Sequence, residues 1–116
     1  MVQIKRIYEP ATEKDGCRIL VDRLWPRGLK KEAAHIDEWM KEIAPSDALR
    51  KWFGHKPEHW AEFEKRYQAE LAKKKELLQT LRGMERKRGT VTLLFGAKDE
   101  EHNQAVVLRK ALKGKS

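Results

Sequence analysis

Two short runs of this chain are apolar almost without interruption: Cys17 to Asp22 (C-R-I-L-V-D) and Thr90 to Phe95 (T-V-T-L-L-F). A strand with one wet face alternates; one that is apolar throughout is covered on both faces, as inside a parallel sheet. Between the two runs the pattern is helical. From Pro57, a helix-start residue, Trp60, Phe63, Tyr67, Leu71, Leu78 and Leu81 recur at spacings of three, four or seven. That stripe predicts one amphipathic helix running to about Leu81, with Gly83 near its end. A last helix follows the second run, carrying Ala105, Leu108 and Leu112 on one face, with Asp99 as its cap. Strand, helical crossover, strand and helix make a βαβα order, whose strands run parallel.

The remaining segments add detail. Val2 to Tyr8 opens with the alternation of a half-buried or edge strand, its direction left open by the short link to Cys17. Leu29 to Ile43 is expected to be helical in parts, with Trp39, Met40 and Ile43 on one face. Pro45-Ser46-Asp47 opens a short helix with Ser46 as N-cap, and Gly54 closes it. The expected architecture is α/β: a small, mostly parallel sheet of about three strands flanked by helices, one of them long and amphipathic.

With 116 residues, the chain is expected to form a single domain over 1–116. Hydrophobic residues make up 40% of it, too many for a disordered chain despite 38% charged residues. Its apolar runs are too short to span a bilayer, and Met1 to Arg6 lacks the pattern of a secretory signal. The one cysteine, Cys17, has no internal partner, which suits a reducing compartment and makes the cytoplasm the expected location.

The formal charge is +8. Residues 1–60 carry 12 Lys/Arg against 10 Asp/Glu, whereas residues 61–116 carry 14 against 8. Much of the surplus lies between Lys65 and Arg88, where carboxylates are interspersed as on a solvated helix face. A nucleic-acid footprint is the other reading of that stretch.

In parallel sheets ligands bind outside the carboxyl ends of the strands. Two polar stretches begin where a covered strand ends. In the first, Arg23 and Arg27 flank Trp25 in a loop shaped by Pro26 and Gly28. Guanidinium forks suit phosphate or carboxylate oxygens, and an indole suits a flat ring or the end of a core. In the second, Gly96-Ala97-Lys98-Asp99 leads to His102 and Asn103, a cation ahead of an expected helix N-terminus. A third stretch runs from Ser46 to His55. Ser46 and Arg50, four apart, could grip one anion, or Ser46 could simply cap the helix. The ligand-binding candidates are therefore Arg23, Trp25, Arg27, Ser46, Arg50, Lys98 and Asn103, and the candidate acid–base residues are His55, Asp99 and His102. Arg23, Arg27, His55 and the 98–103 segment are expected to surround one concavity. No metal-ligand spacing, P-loop or nucleophile elbow is present, so neither a metal nor a cofactor is expected.

The stretches V-D-R-L-W-P-R-G-L, A-P-S-x-x-L-R-K-W-F-G-H and A-K-D-E-E-H-N-Q-A-V-V-L resemble the YeaO-like family of small bacterial and archaeal proteins. That family belongs to a broader group classed as a domain of unknown function. The resemblance covers about Lys5 to Leu108 and implies that Arg23, Trp25, Arg27, Ser46, Arg50, His55, Lys98, Asp99, His102 and Asn103 match family motif positions. It implies no reaction. Lys56 stands where such proteins show Asp, which weakens a helix cap, and Gly96 stands for the usual Ala, which loosens its loop.

Three functions are open at this point. The first is binding or conversion of an anionic small molecule, phosphate- or nucleotide-like, at the strand ends. The second is nucleic-acid binding by the basic 65–88 helix. The third is a protein-interaction domain anchored by Trp25, Trp39 and Trp52. Whether the chain is an enzyme, and its oligomeric state, do not follow from the sequence.

Overall fold

The computed structural model describes residues 1–114. Its sheet has four strands, β1 (Val2–Arg6), β2 (Cys17–Leu20), β3 (Glu38–Trp39) and β4 (Val91–Phe95). Their order is β1-β4-β2-β3 and every neighbouring pair is parallel, β1 included. The helices are α1 (Lys31–Ala34), α2 (Asp47–Phe53), α3 (Trp60–Ala72), α4 (Lys75–Arg88) and α5 (Gln104–Lys113). The α/β class and the parallel sheet are as expected.

β3 is an addition. Two residues are too few to show a period, and they lie in a segment expected to be partly helical. Backbone bonds flank the strand, Asp37 N–H to Arg18 O and Met40 N–H to Leu20 O. Only the single turn α1 and a 3₁₀ turn at Lys41–Ile43 are helical there. Trp39, Met40 and Ile43 do not share a face. Trp39 joins the cluster of Leu20 and Leu94, whereas Met40 and Ile43 enter the larger core.

Both faces of the central strands are covered, but by different material. One face presents Val2, Ile19, Val91, Leu93 and Phe95 to Phe63, Tyr67, Leu71, Leu81, Ala105 and Leu108 of α3, α4 and α5. The opposite face carries Leu20 and Leu94 under Ala34, Trp25, Leu29, Ile36 and Trp39, mostly loop residues. This second face also holds a buried ionic cluster. Arg18, inside the apolar run, meets Asp15 through Nη1 and donates to His35 O (2.8 Å) and Ala34 O (3.0 Å), the end of α1. Lys5 Nζ lies 3.1 Å from the same carboxylate. Gly16 makes the turn possible: its φ is 63°, and a Cβ there would fall 2.3 Å from Thr90 O.

The expected long helix is two helices. After a 3₁₀ turn at Pro57–His59, α3 runs to Ala72 and α4 starts at Lys75. Phe63, Tyr67 and Leu71 are buried and Lys65, Lys73 and Lys75 exposed, as the stripe requires. Leu78 is only half-buried, because α4 sets off anew to lie on β4 and β2. Gly83 is interior to α4, which ends at Arg88. At the break Lys74 Nζ reaches Glu42 O (2.7 Å) and Ala44 O (3.0 Å), so this lysine holds the loop ahead of α2. Among the described residues, no helix is long and apolar enough to cross a membrane.

Candidate functional site

The chain leaving β2 folds onto the loop-covered face, and the chain leaving β4 enters α5 on the helical face. Where successive connections part to opposite faces, a crevice is left at the carboxyl edge. A cleft of about 400 Å³ opens there. Arg23, Trp25, Arg27, Arg50, His55, His102 and Asn103 all line it, with Asp22, Lys51, Phe53 and Gln104. Lys98, Asp99 and Ser46 do not.

Asp22 is the acidic member of this lining among the described residues. Its Oδ2 accepts the Gly96 N–H at 2.9 Å and its Oδ1 accepts from the Gln104 amide. Burial pushes its carboxyl up to about 6, although those two bonds and nearby His55 pull it back. The approach is close: a Cβ at Gly96 would fall 2.9 Å from Asp22 Oδ2, so the carboxyl would have to shift.

Arg23 donates from Nε to Pro45 O (3.2 Å) and from Nη2 to Ala44 O (3.0 Å), fixing the entry to α2. Glu70 holds the same loop from the other side, accepting the Ser46 N–H (2.8 Å) and the Ser46 hydroxyl (2.6 Å). Ser46 Oγ also accepts the Leu49 N–H as N-cap. Ser46 is thus occupied outside the cleft, and the expected joint grip with Arg50 does not form. Arg50 is different. Its Nη2 donates to Asp47 at 3.2 Å, but its Nε is buried and meets no protein acceptor among the described residues.

His55 follows the αL cap Gly54 and itself has φ 58°, a costly conformation for a side-chain-bearing residue. His102 places Nδ1 2.9 Å from Asp99 Oδ2, and its ring meets Trp60 edge-on at 5.1 Å. Asp99 accepts the Glu101 and His102 N–H groups, and with the His102 ring these bonds hold its carboxyl below the ordinary range. Asp99 therefore closes a turn and is not the cap of the last helix. That role is Asn103's, buried and accepting from Ala105 N–H (2.9 Å) and Val106 N–H (3.2 Å). With α5 beginning at Gln104, the expected cation at a helix N-terminus is absent, and Lys98 is exposed away from the cleft.

Trp25 donates its indole N–H to Leu29 O (2.7 Å) and packs against Trp39, forming a wall. Arg27 is on the rim, its carbonyl accepting the Tyr8 hydroxyl at 2.8 Å. Lys56 precedes the 3₁₀ turn with no side-chain cap bond. Among the described residues no three His, Cys, Asp or Glu side chains gather to hold a metal ion. The lining instead sets four cations, Arg23, Arg27, Arg50 and Lys51, against one carboxyl.

A family model described as the inactive DUF488-N3 subclade matches residues 1–116. The chain belongs to that family. Among its relatives, the uncharacterized protein YeaO of Escherichia coli K12 is 48% identical over 107 residues, 92% of each chain. An uncharacterized Mycobacterium tuberculosis protein, Rv3073c, is 39% identical over 116 residues, 98% of this chain and 95% of its own. No solved structure matches. The resemblance carried by the three polar motifs is thus a family relationship, and the family's role is unknown.

Of the polar residues that line the cleft, Tyr8, Asp22, Lys51 and Gln104 are not among the sequence candidates. Asp22 is the last residue of an apolar run, so the pattern marks it as the strand's end rather than the site's beginning. The strand-end rule applied to that residue itself finds it. Gln104 carries no such signal.

Proposed function

We propose that the cleft at the carboxyl ends of β2 and β4 binds a small anionic molecule. The observation carrying this reading is Arg50. Its Nε–H is buried with no protein acceptor among the described residues, on a side chain that is otherwise 38% exposed at the cleft, and charge-assisted bonds from such a group to oxyanions are strong. The neighbouring cations and the fixed position of Arg23 support it. The word "inactive" in the family description favours binding over turnover.

The test uses the Arg50 Nε–H itself. Adding phenyl phosphate should shift its NMR resonance saturably, and Arg50→Met should weaken binding by at least about tenfold, the equivalent of about 1.5–3 kcal/mol for one charge-assisted contact. An Arg50 Nε–H signal that stays put while phenyl phosphate binds elsewhere would contradict the proposal.

A further inference from the structure

The cleft also says what kind of anion it fits, provided that the reading above holds. A water molecule's share of liquid volume is about 30 Å³, so 400 Å³ matches roughly a dozen water-sized volumes. A bare phosphate or sulfate, with five heavy atoms, fills less than half of that. Part of the lining is apolar. Trp25, Pro26, Phe53 and Phe63 all belong to that lining, the last two stacked ring on ring at 4.3 Å. At the mouth Leu24 is 57% exposed, a large apolar side chain held in water beside a charged site. A ligand body lying over it removes that surface from solvent.

We propose that the ligand is an oxyanion carried on a flat, apolar body, an aryl phosphate or aryl carboxylate in chemical class. Its anion meets Arg50 and Arg23, and its ring lies against Phe53 and Pro26 with Leu24 closing over the outer edge. Asp22 disfavours a second anionic group at the inner end of the cleft, next to Gly96 and Gln104. It leaves room there for a hydrogen-bond donor, since a carboxylate has more acceptor sites than the two in use.

The experiment is a calorimetric titration of the full chain with inorganic phosphate, phenyl phosphate and benzyl alcohol, repeated on Leu24→Ser. Leu24 is exposed, so this variant leaves the core intact. The expected result is phenyl phosphate binding about tenfold or more tighter than inorganic phosphate, with much of that advantage lost in Leu24→Ser while inorganic phosphate is unaffected. Equal affinities for the two phosphates would overturn this inference and leave anion binding standing. Benzyl alcohol binding as tightly as phenyl phosphate would overturn anion binding itself, and so would no binding of any of the three.

Discussion

Asp15 and Asp22 are both shielded from solvent, both lie next to β2, and they titrate in opposite directions. At Asp15, burial raises the carboxyl pKa, but bonds from the Thr12 backbone, Lys5, Arg18 and the Thr12 hydroxyl outweigh it and bring it below the ordinary value. At Asp22, burial wins and the carboxyl is pushed up to about 6, because its direct hydrogen-bond partners are the neutral Gly96 N–H and Gln104 amide. The arginines differ in the same way. Arg18 spends its fork on Asp15, His35 O and Ala34 O, while Arg50 keeps a buried Nε without a protein acceptor. One cluster is closed on itself and serves the fold. The other is left incomplete at the edge where parallel sheets bind ligands.

Breaking the closed cluster should have the largest effect. Asp15→Ala leaves Arg18 buried without its partner, and chemical denaturation should show a loss of about 3–5 kcal/mol. A loss under about 1 kcal/mol would mean that Arg18 finds solvent, and the contrast with Asp22 would weaken.

At Asp22 the sign runs the other way. The folded chain holds this proton to higher pH than the unfolded chain, so Asp22's contribution to stability falls as pH rises from about 4 to about 6. Two pKa units correspond to about 3 kcal/mol across that window. In Asp22→Asn this part of the decline should vanish in urea denaturation from pH 4 to 7. An unchanged slope would show that Asp22 is solvated. Asp15 acts below that window, its contribution being present above its ordinary pKa and lost as pH falls through the lowered value.

The smallest effect should come from the basic helices. Lys73 and Lys75 are exposed, and changing both to Gln should move stability by less than about 0.5 kcal/mol and leave phenyl phosphate affinity unchanged. Lys74 is excluded from that pair because it braces Glu42 and Ala44. Weakened anion binding in the double variant would shift the site from the strand ends to α3 and α4.

The covered strands were legible because burial on both faces leaves an uninterrupted apolar run, and the site loops because they follow those runs. β3 was not, since two residues held by flanking backbone bonds carry no pattern. Nor was the break at Lys73 and Lys74, which has no Gly or Pro and arises where α4 turns to lie on the sheet. Its faint trace was the gap of seven from Leu71 to Leu78. The face of the last helix was legible but its start was not, because Asp99 and Asn103 are both good caps. Asn103 sits directly ahead of the apolar run, and Asp99 satisfies a turn of its own.

The contrast between the two carboxyls is tested most directly by following the side-chain carboxyl carbons of Asp15 and Asp22 by NMR through a pH titration, with and without phenyl phosphate. The account predicts that Asp22 titrates near 6 and moves when the ligand binds, while Asp15 titrates below the ordinary range and stays put. Asp22 titrating as an ordinary carboxylate, or unmoved by a ligand that binds, would contradict it.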